Sequence, residues 1–114
     1  MRVTSDIWVS ALLRRIQSGG GFGAVLRRGA AEAGAIFIIH RSRHGELTLY
    51  GPAPQIAYEE GKPAERRFVE ILAADDDAIK VRLDREARFD PDLWVVEIEE
   101  GGAEKEEFFP VTTP

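Results

Sequence analysis

The chain has 114 residues, of which 44% are hydrophobic and 31% are charged, with a net charge of −5 and no cysteine. A chain of this size and composition predicts one globular domain with one modest core, which excludes separate cofactor and substrate domains. The lack of cysteine excludes disulfide scaffolds, cysteine-ligated metal centres and thiol catalysis. The longest apolar run, residues 33–39, is shorter than the roughly 20 residues of a membrane helix. Since no secretory signal pattern is present either, we expect a cytoplasmic protein.

The first predicted element is an amphipathic helix over residues 6–18. Apolar side chains recur in it at helical spacing, namely Ile7, Trp8, Ala11, Leu12 and Ile16. Thr4, Ser5 and Asp6 offer oxygens that could cap its start, and Gly19 is expected to end it in the left-handed conformation.

Three short apolar runs follow, at residues 22–28, 35–41 and 46–50, and predict consecutive strands. The connections between them are short, so we expect an antiparallel meander. Pro52 lacks the amide proton that a strand ladder uses, and it is expected to end the meander.

The second half predicts a strand over residues 66–72, a helix, and a strongly β-prone strand over residues 93–99. The helix is expected to begin at the acids 75–77, to bury Ile79, Leu83 and Ala87, and to end before a proline at position 91.

These elements predict an α+β fold in a single domain, with the order α-β-β-β-β-α-β. We expect a mostly antiparallel sheet of about five strands with both helices packed on one face. Residues 1–100 form the predicted domain, and residues 101–114 are either an acidic C-terminal tail or a weak edge strand. The aromatic residues expected to anchor the core are Trp8, Phe37, Tyr50, Phe89 and Trp94.

Charge is distributed unevenly along this fold. Residues 1–57 carry seven arginines against three acids, a net charge of +4, whereas residues 58–114 carry eight basic residues against 17 acids, a net charge of −9. The two halves could offset each other within one body, or the basic half could present a face to an anionic partner. A pI near 5.1 argues against nucleic acid as that partner.

Arginines are the candidate binding residues, because guanidinium groups bind oxyanions bidentately and stay charged at cellular pH. Neighbouring residues of a strand point to opposite faces, so only one arginine of each strand pair can join a shared patch. A rigid proline turn at residues 50–55 could add a lip at one end of the sheet. The predicted ligand-binding residues are Arg14, Arg15, Arg27, Arg28, Arg66, Arg67, Tyr50 and Gln55.

No sequence motif indicates catalysis, a metal site or a cofactor. Gly19, Gly21 and Ala24 meet a relaxed dinucleotide-binding pattern, but they follow a helix instead of preceding one, so they predict a plain turn. His40 and His44 lack the partners and spacing of a zinc site and are interpreted as surface or edge-strand residues.

Four ordered blocks together resemble a bacterial family called domain of unknown function 1491. The blocks are residues 7–15 (IWVSALLRR), 26–29 (LRRG) with 33–35 (AGA), 49–54 (LYGPAP) and 88–97 (RFDPDLWVVE). The resemblance extends to about residue 99 and implies a free-standing single domain in a bacterial cytoplasm. It brings no reaction, ligand or catalytic residue.

Three functional hypotheses follow. The first is a non-catalytic binding or regulatory module whose arginine-bearing face holds an anionic ligand or an acidic protein segment. The second is a structural protein that self-associates, either by joining its basic half to the acidic half of another copy or by pairing edge strands. The third is a small hydrolase or nuclease that uses His40, His44 and nearby carboxylates.

Overall fold

A computed structural model describes residues 3–54, 66–99, 101 and 108–112 of the chain. It confirms an α+β fold in a single compact domain, with two helices and a five-stranded, mostly antiparallel sheet in the predicted element order. The elements are α1 (Ser5–Ser18), β1 (Phe22–Arg27), β2 (Ile36–Arg41), β3 (Leu47–Pro52), β4 (Phe68–Ala73), α2 (Asp76–Phe89) and β5 (Trp94–Glu99).

The sheet has the strand order β1-β5-β2-β3-β4, so the expected meander of the first three strands is only partly correct. β2 and β3 form the predicted antiparallel hairpin, but β5 lies between β1 and β2. β5 pairs antiparallel with β1 and parallel with β2. Because β5 is buried at four of its six positions, a central place in the sheet removes its apolar side chains from water on both faces.

The segment between β1 and β2 makes room for β5 through two glycines. A Cβ atom on Gly29 would lie 2.1 Å from the backbone oxygen of Asp92, and one on Gly34 would lie 2.3 Å from the same oxygen. The amide of Ala30 donates to this oxygen at 2.9 Å, and the indole Nε1 of Trp94 donates to the carbonyl of Ala30 at 2.8 Å. The segment therefore wraps around the start of β5 and separates β1 from β2.

The two helices pack on opposite faces of the sheet, which corrects the expectation that they share one face. Ile36 and Ile38 of β2 pack with α1, whereas Phe37 and Ile39 of the same strand pack with α2. Successive strand residues point to opposite sides, so each face of the sheet presents an apolar surface that needs a cover. We call these faces the α1 side and the α2 side.

The first helix differs from its prediction in its buried face and in its ends. Val9 is buried with Leu12 and Ile16, whereas Ile7 is 60% exposed. Thr4 is the N-cap residue, but its side chain makes no capping bond to the helix backbone. The left-handed residue after the helix is Gly20, with φ of +83°, and not Gly19.

The second helix follows its prediction. Asp75 caps it by accepting a hydrogen bond from the amide of Ala78 at 2.9 Å. Ile79 is buried against the sheet, and Leu83 and Ala87 pack beside it. Phe89 at its end is 83% exposed, so the expectation that this ring anchors the core is wrong.

The described C-terminal residues 108–112 lie along β4. The amide of Phe68 donates to the carbonyl of Pro110 at 2.9 Å, and the amide of Thr112 donates to the carbonyl of Phe68 at 2.8 Å. Phe109 is 1% exposed and contacts the rings of Tyr50 and Phe68 edge-on. An isolated bridge joins Val111 to Phe68. The glutamate-rich part of the expected tail or weak edge strand, residues 102–107, lies outside the described residues, and residues 108–112 form no strand beyond this bridge. The division of the chain at residue 100 stays a prediction.

Candidate functional site

Strand alternation sorts the predicted arginines between the two sides of the sheet. On β1, Arg27 is paired with Val95, whose side chain belongs to the α2 side. The next residue, Arg28, places its guanidinium 5.1 Å from the ring of Trp94, which belongs to the α1 side. The sequence argument that neighbouring strand arginines diverge holds for this pair.

The pair before β4 also falls on two sides. Arg66 is only 9% exposed and donates from Nη2 to the carbonyl of Val3 at 2.8 Å, close to the start of α1. Arg67 precedes Phe68, an α1-side residue, and is half-buried. Burial removes Arg66 from the set of arginines that a ligand could reach.

The helix arginines Arg14 and Arg15 are exposed on α1. Arg15 donates from Nη2 to the carbonyl of Phe108 at 2.8 Å, which ties the C-terminal residues to the last turn of the helix. Among the described residues, the predicted arginines that are exposed on the α1 side are therefore Arg14, Arg15 and Arg28.

The predicted lip at residues 50–55 is not formed by Tyr50. This ring is 3% exposed and belongs to the core cluster of the α1 side. Gln55 lies outside the described residues. Within the described part of this turn, residues 50–54, the Tyr50 ring therefore belongs to the core, and the role predicted for Gln55 stays a prediction.

Electrostatics near the start of α1 centre on Asp6. The hydroxyl of Thr4 donates to its Oδ1 at 2.6 Å, and the amide of Ile7 donates to the same oxygen at 2.8 Å. These bonds, with the positive charge of Arg28 nearby, lower the pKa of Asp6 below its ordinary value. Asp6 consequently stays ionised, and it balances part of the charge of Arg28 at this end of the helix.

A groove of about 700 Å³ opens at the far end of the sheet, where the β2–β3 turn approaches the start of α2. His40 lines it together with four carboxylates: Glu46, Glu70, Asp75 and Asp76. Asp76 lies 3.9 Å from the guanidinium of Arg41, and Asp75 is the helix cap. The acidic lining disfavours an anionic ligand, so this groove is not the predicted anion site.

The two histidines do not meet in one assembled site. His40 lies on β2 at the groove, whereas His44 is exposed in the turn that follows, where its backbone amide donates to Oγ of Ser42. Within residues 3–54, 66–99, 101 and 108–112, no three His, Asp or Glu side chains are grouped to hold a metal ion.

Sequence reasoning missed a second surface, at the edge strand β1. Phe22 and Leu26 are each 57% exposed there. The apolar run over residues 22–28 predicted a strand, but which face of that strand would be covered depends on where the helices pack. Nothing in the local sequence could have revealed that these side chains stay exposed.

No helix in the described part of the chain is long and apolar enough to cross a bilayer. The fold and these surfaces define a small α+β domain with an arginine-bearing helix on one side of its sheet. The chain belongs to the family described as protein of unknown function (DUF1491), whose family model matches residues 3–109.

Two solved structures illustrate this relationship. The solution structure of protein Atu0922 from A. tumefaciens is 44% identical, with 100% of this chain and 98% of that chain covered and a TM-score of 0.83. A crystal structure of a DUF1491 family protein from Caulobacter crescentus CB15 is 33% identical, with 98% of this chain and 100% of that chain covered and a TM-score of 0.78. No curated protein matches this chain.

Proposed function

We propose that this protein is a non-catalytic binding module that holds an acidic segment of a partner protein on its α1 side. The observation that carries the proposal is that three exposed arginines, Arg14, Arg15 and Arg28, accompany α1 on one side of the sheet. A cytoplasmic location and a regulatory role are part of this proposal.

The exposed face of α1 combines apolar and cationic side chains. Ile7, Ala11 and Arg14 are all exposed and are spaced by four and three residues, so they lie in one row along the helix. An acidic segment with interspersed apolar residues complements such a row, since its apolar side chains cover Ile7 while its carboxylates contact the arginine.

Two further arginines extend this row at both ends of the helix. Arg15 lies in the last turn, and Arg28 lies near Asp6 in the first turn. A helix of 14 residues is about 21 Å long, which an extended segment of about six residues would span. Arg28 is held over the Trp94 ring, and this cation–π contact restricts its motion before a ligand arrives.

The test is fluorescence anisotropy with a short fluorescein-labelled peptide of glutamates and interspersed leucines. We expect salt-sensitive binding, because the contacts are between exposed charges. The double reversal Arg14→Glu with Arg15→Glu should weaken binding about tenfold, as each exposed ion pair contributes up to about 1 kcal/mol.

The matched control is Arg85→Glu with Arg88→Glu, which reverses two exposed arginines near the end of α2 on the other side of the sheet. Equal loss in the two double variants would mean that net charge alone attracts the peptide, and the proposal would fail. Competition by inorganic phosphate or by a nucleotide as strong as that of unlabelled peptide would replace a protein segment with a small anion as the ligand.

A further inference from the structure

The two edges of the sheet differ in how they are covered. β4 forms one edge, and residues 110–112 hydrogen-bond along it through Phe68. β1 forms the other edge and pairs with β5 on its inner side. In the described part of the chain, no hydrogen bond reaches β1 from its outer side.

The outer side of β1 lacks most of the features that keep edge strands apart. Such features include prolines, lysines and charges that point inward. β1 has the sequence FGAVLR, with neither proline nor lysine, and its one irregularity is a bulge between Val25 and Arg27. Phe22 and Leu26 expose large apolar surfaces on this strand, and exposed apolar edges are sites of strand pairing.

We propose that the outer side of β1 is an interface at which a second copy of this chain adds antiparallel, so that two sheets join into one. This surface differs from the arginine row of α1, and the inference does not depend on the function proposed above. The two ends of β1 complement each other, which favours a second copy of this chain as the occupant.

The side chains of β1 on the α2 side are self-complementary. Phe22 is paired with Glu99, Ala24 with Glu97, and Arg27 with Val95. Because the bulge between Val25 and Arg27 shifts the alternation by one residue, Phe22, Ala24 and Arg27 all lie on the α2 side. A twofold axis perpendicular to the sheet at Ala24 keeps the faces of both copies aligned. Phe22 of one copy then lies opposite Arg27 of the other.

This arrangement brings opposite charges together and keeps like charges apart. Arg27 of the second copy can lie over the Phe22 ring and reach toward Glu99. The backbones of Arg27 and Glu99 are then two strands apart, about 10 Å, which is within the combined length of their side chains. The two Arg27 residues are separated by about 14 Å along the strands, which exceeds the Debye length of about 8 Å. In the single chain, Arg27 donates to the carbonyl of Pro91 at 3.3 Å, a long bond, and no second partner occurs among the described residues.

The first experiment is sedimentation of the full chain over roughly a hundredfold range of concentration, since dimers dissociate on dilution. We expect a concentration-dependent dimer. The edge variant Phe22→Lys with Leu26→Lys should be monomeric over the same range, because both side chains are exposed and lysine blocks edge pairing. The control Phe89→Lys changes the more exposed Phe89 on α2 and should leave the dimer intact.

A charge swap tests the predicted register. Arg27→Glu alone should raise the dimer dissociation constant, and adding Glu99→Arg to the same chain should restore it. In addition, a single cysteine introduced by Ala24→Cys should form an intermolecular disulfide, because residues directly opposite in an antiparallel pair have Cα atoms within disulfide range. The chain has no other cysteine.

Three outcomes would overturn the inference. They are a wild-type chain that stays monomeric at every concentration, a dimer that survives the double lysine substitution, and a dimer whose affinity the Arg27 and Glu99 changes do not alter. Each outcome leaves the peptide binding of α1 to be judged separately, since none of these variants changes Arg14, Arg15 or Arg28.

Discussion

Replacing Phe109 with alanine should destabilise the protein strongly, although this residue lies in the region expected to be either an acidic tail or a weak edge strand. Its ring is 1% exposed. The ring centroid lies 5.3 Å from that of Tyr50 and 5.4 Å from that of Phe68, at interplanar angles of 71° and 82°. Removing such a ring loses its burial and leaves a cavity among the two remaining rings, which costs about 3–5 kcal/mol. That loss is a large part of the roughly 5–15 kcal/mol that holds a small domain folded.

The measurement is urea unfolding followed by tryptophan fluorescence, with the change in midpoint interpreted at constant slope. Phe109→Leu keeps part of the apolar volume and should give a smaller loss in the free energy of unfolding. Phe89→Ala is the matched control, because that ring is 83% exposed and its removal should change stability by no more than about 0.5 kcal/mol. If Phe109→Ala costs as little as Phe89→Ala, the C-terminal residues do not complete the core and the reasoning is refuted.

Two further predictions concern the start of α1. Ser5→Ala should lower the free energy of unfolding in urea by about 1–3 kcal/mol, since buried Ser5 donates to the carbonyl of Gly34 at 2.6 Å and that oxygen would lose its partner. Ser10 is exposed, so Ser10→Ala should change the free energy of unfolding little. Equal effects of the two substitutions would contradict the role of this bond. Thr4→Ala should raise the pKa of Asp6 toward its ordinary value in an NMR titration, because the Thr4 hydroxyl is the main cause of the lowered pKa. Since the pKa of Asp6 is lowered in the folded chain, ionised Asp6 stabilises the fold at neutral pH, and this stabilisation is lost as the pH falls through the folded-state pKa. The stabilisation should be smaller in the Thr4→Ala variant.

The identities of the helices and strands were predictable from the sequence, because each depends on residues close to one another. The four-residue spacing of Ile79, Leu83 and Ala87 identified α2 and its buried face correctly. Asp75 was correctly placed at its start, where the first backbone amides lack partners within the helix. A short turn separates β2 and β3 as predicted, and it includes Gly45, whose φ is +85°.

The candidate site was predictable only in part. Alternation correctly separated Arg27 from Arg28, because that rule needs no knowledge of neighbouring strands. Burial of Arg66 and Tyr50 could not be predicted, because it depends on contacts with Val3 and with Phe109, which are distant in the chain. For the same reason, the sequence did not show that Phe89 is exposed and that Phe109 is buried.

The sequence by itself therefore determined the α+β class, the order of the elements and the pattern of side chains along each strand. Tertiary structure decided that β5 enters between β1 and β2, that the helices cover opposite faces, and that β1 is left at an edge. The physical reason is that helix and strand periodicity reflects interactions between near neighbours, whereas strand order follows from which arrangement buries the most apolar surface on both faces at once. The buried strand β5 and the two glycines that let it approach, Gly29 and Gly34, set that arrangement together.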